Sequence, residues 1–354
     1  MIKKVHLYMR ESSLQSFSNL SRTQPDATEP PLKMSNPGPI IIFGPTGKVG
    51  SAAALFAHSL GAKIILGMRD PSKFIPAPLA AADELAGGFK RVYADLTKPD
   101  TLRAAAEETG AKRAFVYLNY ENPDSMKSAF EALKSGGVEF VVLLSSYAVQ
   151  GELSSITPDD FIAWKHAQIE LALAGVLGVG GFVAVRGGYF ATNSLLWMDM
   201  INEGKVKIWH PNAAWDWVSP DDVGAVSGAI LVKGPEVVGG SLGKTAVEVI
   251  GPDLISQRDV VATIAEVIGK EIETEPFDEV EVVRFYTVGL AIPEKSARTL
   301  VDQITLRDEG TDVFYGSSYT EAVGNILKYT RRPGVAFRIW AEKNKERLII
   351  LNQY

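Results

Sequence analysis

A doubly wound α/β fold, a parallel sheet with helices on both faces followed by a smaller mixed α/β C-terminal lobe, is what the sequence predicts from three observations. An unbroken apolar run at residues 39–43 enters a turn punctuated by Gly44, Gly47 and Gly50, and an alanine-rich segment follows at 51–60. Short apolar runs then alternate with helix-length segments as far as residue 203, the pattern of right-handed βαβ units. Beyond residue 203 the alternation loses its regularity, which marks the second lobe.

The first βα unit carries the most chemistry. A strand at 40–43 without polar alternation suits burial on both faces. Gly44 permits a sharp turn, Gly47 leaves room for a diphosphate beside the backbone, and Gly50 lets the helix pack close to the strand. Thr46 and Val49 complete this turn. The free N–H groups and dipole of the helix N-terminus favour the anion, so the stretch reads as a Rossmann dinucleotide site; the competing reading is a glycine-rich βα turn without a ligand. A second strand at 63–68 ends at Arg69, with Lys73 shortly after. An arginine there matches the 2′-phosphate of NADP, whereas an acid such as Asp70 would serve NAD, and a solvated basic turn is the alternative to both. NADP(H) is the cofactor expected.

A short helix is expected at 77–88 and a third strand at 89–94. Asp95, followed by Leu96, is placed to accept from an adenine amino group, or else Asp95 or Thr97 caps the helix at 99–109. The fourth strand, 113–118, leads to Asn119 and Tyr120, and a helix follows at 124–135. The fifth, 138–144, opens into Ser145, Ser146 and Tyr147. A helix at 157–170 is expected with Thr157 as its N-cap; Phe161 and Lys165, four apart, share a face. A sixth strand at 182–185 passes through Arg186, Gly187 and Gly188 into Tyr189 and Phe190, then a helix to about 203. Short strands at 205–209 and 214–218, a helix at 221–231, a seventh sheet strand at 245–250 and helices ending near 269, at 278–288 and at 294–306 complete the chain.

Composition narrows the function. The chain has 354 residues and a formal charge of −6, which argues against nucleic acid, since phosphate-backbone binding needs concentrated positive charge. With 0 cysteines there are no disulfides or thiolate nucleophiles, and the four scattered histidines show no metal spacing, so no metal is expected. No apolar run approaches the ~20 residues needed to span a bilayer. A cytoplasmic monomer or homodimer with neither nucleic-acid nor membrane partners is the expectation. Residues 1–33 are polar and serine-rich and are expected to be disordered. Arg10, Arg22 and the serines suggest a transit peptide, Glu11, Asp26 and Glu29 oppose one, and Met34 stands where a compact enzyme would begin.

Taken in this order, the glycine turn, Arg69, Ser145 and Ser146, Lys165 and the 186–193 segment resemble the NmrA-like branch of the atypical short-chain dehydrogenases, which includes the isoflavone-reductase-like enzymes. The likeness covers roughly residues 38–272 and includes the 217–223 and 247–252 phrases. The expected division is a flexible extension at 1–34, an NADP-binding Rossmann domain at 35–203 with its sheet completed by about 245–251, and a mainly substrate-binding lobe at 204–354. The resemblance implies a nicotinamide near Ser145, Lys165 and the turn formed by Gly188, Tyr189 and Phe190. Standard members use a Tyr-x-x-x-Lys pair, and here the tyrosine position holds Phe161, which cannot donate a proton. Lys165 is then the catalytic candidate, its other role being to hold the nicotinamide ribose. Tyr147, Ser146 and Tyr120 offer hydroxyls at the strand ends, packing being the alternative for the tyrosines. Asn193, Trp197, Trp209 and Trp215, with Tyr120, are expected to line a pocket for an aromatic or polycyclic small molecule, although each tryptophan suits the lobe's core as well. The leading reading is an NADPH-dependent reductase that delivers hydride to a C=C or C=N bond of a natural-product intermediate. An NADP-sensing regulator, or an enzyme that controls a cyclisation or rearrangement, is the alternative.

Overall fold

Apolar, largely β-branched strands can be covered on both faces, and here they are. The computed structural model describes residues 37–76, 79, 88–119, 122–239, 243–289, 292–310 and 318–349. The extension expected at 1–34, nearly all of the helix expected at 77–88, and Tyr120 lie outside the described residues. In chain order the first half contains β1 (Pro39–Phe43), α1 (Lys48–Ser59), β2 (Lys63–Met68), β3 (Lys90–Tyr93), α2 (Pro99–Thr109), β4 (Arg113–Tyr117), α3 (Lys127–Ser135), β5 (Phe140–Ser146), α4 (Phe161–Leu177) and β6 (Phe182–Gly187). The second half contains α5 (Met198–Glu203), β7 (Lys205–Ile208), β8 (Ala214–Trp215), α6 (Pro220–Lys233), β9 (Ala246–Val249), β10 (Ile255–Ser256), α7 (Gln257–Ile268), β11 (Glu273–Pro276) and α8 (Glu279–Arg284). It ends with α9 (Glu294–Asp308), α10 (Tyr319–Thr330), α11 (Phe337–Lys343) and α12 (Lys345–Ile349).

The main sheet has seven strands in the order β3-β2-β1-β4-β5-β6-β9, and every neighbouring pair is parallel. The chain builds outward from β1 to β3 and then returns to β4 on the other side. The reversal between β1 and β4 opens the crevice at the carboxyl ends of the strands where such sheets bind ligands. Side chains alternate between two cores, with Ile40, Ile42, Leu66, Val142 and Val185 on the α1 and α6 face, and Ile41, Phe43, Ile65, Val141 and Leu143 on the α2, α3 and α4 face. Helices α1 and α6 touch backbone to backbone. A Cβ at Gly224 would lie 2.5 Å from the Val49 carbonyl oxygen, and one at Gly228 would lie 2.7 Å from that of Ala53.

The smaller C-terminal part is mixed α/β, as expected: β7 pairs with β11 in parallel, β8 pairs with β10 in antiparallel, and helices bury a third core around Trp197, Trp217, Val261 and Trp340. Several boundaries differ from the expectation. Helix α4 begins four residues after Thr157, because Asp160 is its N-cap and accepts from the Ala163 N–H at 3.1 Å. The helix expected to run to 203 is a 3-10 turn, Ala191–Trp197, that passes into α5. The helix expected at 278–288 is α8 continued by a π turn, Phe285–Gly289. No helix among the described residues is long and apolar enough to cross a membrane.

Candidate functional site

At the end of β1, Gly44 adopts φ +66°, and a Cβ there would lie 2.7 Å from the Tyr117 ring. A Cβ at Gly50 would lie 2.3 Å from the Gly44 carbonyl oxygen. Gly47 is the N-cap of α1, whose first turn has neither a side-chain cap nor an acid, so its N–H groups suit a diphosphate. Val49 packs behind the turn against the α1 and α6 core. This cradle fits a dinucleotide. In front of it lies a cleft of about 300 Å³ that brings together Gly44, Thr46, Arg69, Lys73, Asp95, Leu96 and Asn119.

Two acids on this cleft are engaged locally. Asp70 accepts from the N–H and hydroxyl of Ser72 at 2.9 and 2.6 Å, and those bonds hold its carboxyl below the usual range. Arg91 binds the carbonyls of Pro71 and Lys73 at 2.6 and 2.9 Å, which fixes the loop that carries the two basic residues. Burial opposes ionisation of Asp95, but hydrogen bonds from the N–H and hydroxyl of Thr97, at 2.9 and 2.8 Å, outweigh it and lower the pKa. The capping expected of Asp95 or Thr97 is not observed: the N-cap of α2 is Lys98, without a side-chain bond, because Asp95 closes a turn onto Thr97 instead.

A second cavity, of about 460 Å³, opens at the ends of β5 and β6 and shares Tyr117 with the first. Its wall includes Ser145, Ser146, His166, Gly188, Tyr189, Phe190, Asn193 and Trp215, with Ile162, Ile292 and Leu300 adding apolar surface. The buried carboxylate of Asp216 builds the 188–189 turn, accepting from the N–H groups of Tyr189 and Gly251 at 2.9 Å each. Glycine is required at 188, since a Cβ would lie 2.3 Å from Asp216 Oδ2. The Tyr189 ring stacks on Trp215 at 4.4 Å and meets Trp217 edge-on at 5.0 Å, and burial pushes its phenol up to about 12. The Arg307 guanidinium lies 3.9 Å from the centre of the Trp215 ring.

Other sequence candidates sit elsewhere. Tyr147 is fully buried with Ile250 and Ala322, its hydroxyl 3.4 Å from that of Ser318 and off the cavity wall. Trp197 packs against Trp217 in the lobe core, and Trp209 donates to the Thr305 hydroxyl at 3.1 Å outside the cavity. The Lys165 amine lies over the rings of Trp164 and Phe161, at 5.0 and 5.7 Å. On α4 it is Ile162 and His166, also four apart, that line the cavity.

Sequence reasoning missed the group behind that wall. Ser145 donates to Glu170 Oε1 at 2.5 Å, and Arg186 grips both oxygens of Glu170, Nε at 3.1 Å and Nη2 at 2.7 Å, while its Nη1 donates to the Val149 carbonyl. Nδ1 of His166 stands 3.4 Å from the Ser145 hydroxyl. Burial, and secondarily the Arg186 charge, lowers the His166 pKa to about 4. The signal was the spacing of Ile162, His166 and Glu170, four apart each time, which puts them on one helix face.

No family model matches the chain. It is 34% identical over 316 residues to the nitrogen metabolite regulation-like protein bik4 of Gibberella fujikuroi, an alignment covering 84% of this chain and 94% of that protein. The chain belongs to the NmrA-like family. It is also 26% identical to the (4-alkanoyl-5-oxo-2,5-dihydrofuran-3-yl)methyl phosphate reductase of Streptomyces griseus, over 87% of this chain and 98% of that protein. Among solved structures, the negative transcriptional regulator NmrA in complex with NADP superposes with a TM-score of 0.62 at 15% identity, covering 90% of this chain and 99% of that one. At that identity the likeness concerns the fold. Against this family background, the cavity of the NmrA-like chain holds serine hydroxyls and an imidazole, and its lysine stands off the wall.

Proposed function

We propose that this NmrA-like protein is an NADPH-dependent reductase that acts on an electron-poor C=C or C=N bond of a flat, aromatic or polycyclic natural-product intermediate. The observation that carries this reading is the adjacency of the two cavities, which share Tyr117 as a common wall: a polar cleft with a glycine cradle lies beside a chamber walled by Tyr189 and Trp215. Arg69 and Lys73 border the cleft, while Asp70, the acid that would serve NAD, is occupied by Ser72; this supports NADP. Bound in the cleft, the cofactor would supply the hydride. The chain's share is to hold the two reactants face to face, a positional effect that needs no acid at Phe161. Of the cavity's two serines, Ser145 has committed its proton to Glu170, which leaves Ser146 or water to deliver a proton afterwards. In this reading Lys165 supports the α4 wall from its seat on Trp164.

The relative named as a reductase supports this reading, and the relative named for nitrogen metabolite regulation supports a second, an NADP-sensing regulator. The absence of a hydroxyl at Phe161 and the position of Lys165 favour the second. Fluorescence titration with NADPH and NADH, followed by single-turnover NADPH oxidation with enone and iminium acceptors, separates them. The reductase predicts about tenfold or greater preference for NADPH, lost in Arg69→Ala, and oxidation by at least one acceptor class. Tight NADPH binding with no oxidation by any acceptor would transfer the assignment to the regulator, and equal affinity for both cofactors would remove the role given to Arg69.

A further inference from the structure

We propose that His166 is a fixed hydrogen-bond acceptor in the cavity wall, and that it selects ligands carrying an O–H or N–H group beside their flat ring system. The position of one proton fixes the network. Ser145 has a single hydroxyl proton, and the carboxylate of Glu170 takes it at 2.5 Å. Glu170 cannot turn away, because the Arg186 fork holds both of its oxygens and the pair is buried. Toward His166, therefore, the serine offers only lone pairs, and a ring nitrogen 3.4 Å away satisfies it by carrying the proton. In a neutral imidazole the other nitrogen, Nε2, is then unprotonated. Burial and the nearby guanidinium both oppose a second proton.

The ring belongs to the cavity wall, and among the described residues Nε2 has no protein hydrogen-bond partner. The wall around it is mostly apolar or aromatic, with Ile162, Leu300, Tyr189 and Trp215, and its other polar side chains include Ser146, Asn193 and Gln303. An acceptor fixed in such a wall rewards a donor and penalises an isostere without one, because the buried lone pair is left unmatched. For a typical neutral bond in a dry site this is a discrimination of roughly 10- to 100-fold. The inference deepens the reductase reading by adding a donor to the substrate class, and rests on that reading for the claim that the selected ligand is the one reduced.

The test uses the full chain with NADP+ bound. Nitrogen-15 NMR of the histidine rings, with the His166 signal assigned by its loss in His166→Gln, should show the Nδ1–H tautomer. Ser145→Ala should release it toward Nε2–H. Titration with 2-naphthol and 2-methoxynaphthalene, read by tryptophan fluorescence, should favour the naphthol by about 10- to 100-fold. His166→Phe should erase the preference, and His166→Gln, which keeps an acceptor, should retain part of it. An Nε2–H ring in the wild type, or equal binding of the two naphthalenes, would overturn the proposal. Failure of every acceptor to oxidise NADPH would instead strike the reductase reading, leaving the tautomer and the naphthol preference as evidence for the acceptor.

Discussion

At position 166 an imidazole has been moved from water to a place beside a serine with no proton to give and near a guanidinium; burial first, and the Arg186 charge second, disfavour the cation. The groups facing it are Ser145 and Arg186 from the adjoining strands and Glu170 from its own helix. The folded pKa is about 4, against an unfolded value near 6.5. Between those values the unfolded chain binds the extra proton, so stability is full above pH 6.5 and is lost as pH falls toward 4. The loss expected from this one residue is up to about 3 kcal/mol. Urea unfolding of the wild type and of His166→Gln between pH 4 and 8 checks it: the two stability curves should run parallel above pH 6.5, the wild type should lose stability relative to the variant between pH 6.5 and 4, and curves parallel throughout would refute the assignment. From the sequence the chemistry is expected at Lys165, which matches a motif position whose tyrosine partner is Phe161 here, with Tyr147 and Ser146 as hydroxyls. Which face of α4 meets the cavity is decided by which face the core takes, and Ile169, Leu173 and Val176 turn that helix so that His166 faces inward. Tertiary packing sets that rotation, and spacing alone does not reveal it.

Among elements, the contact of α1 with α6 positions the glycine turn, because α1 begins at that turn and rests on a helix face with no side chains at Gly224 and Gly228. Gly228→Ala should push α6 from α1 and cost roughly 1–3 kcal/mol by overpacking, with weaker NADPH binding as the turn shifts. Gly175→Ala, on an exposed helix face with nothing within 4 Å, should instead stabilise by about 0.5–1 kcal/mol. Denaturant midpoints decide; if both changes move the midpoint the same way, the close approach of the two helices does not control stability. The sheet strands were legible because burial on both faces leaves a continuous apolar run, as in Ile40, Ile41 and Ile42. The 191–197 and 285–289 segments were misjudged as regular helix because 3-10 and π turns carry no 3.6-residue period. That Arg69 and the glycine turn lie on one cleft was legible because their position follows from the backbone at a strand end, whereas Asp216, in an aromatic stretch, gave no hint that it holds two distant turns.

On the scale of the molecule, Asn36–Tyr354 forms one compact unit, and particular residues cross the line between sheet and C-terminal layers. Asp216 ties the turn after β6 to Gly251 after β9, and α10 buries Ile326 and Tyr329 in the core shared by α1 and α6. With these contacts buried, the sheet cannot lose its C-terminal cover without exposing its own core, which is the condition for cooperative unfolding. Calorimetry on residues 36–354 should therefore show a single transition. NADPH at a hundred times its dissociation constant should add about 2.7 kcal/mol, moving that transition up by roughly 4 °C for a unit of this size. The whole peak should move together, because the helix that starts at the glycine turn rests on α6, and α6 in turn carries α10. Two resolved peaks, with only one responding to NADPH, would show that the cofactor layer and the C-terminal layer unfold separately and that the bridges through Asp216 and α10 do not couple them.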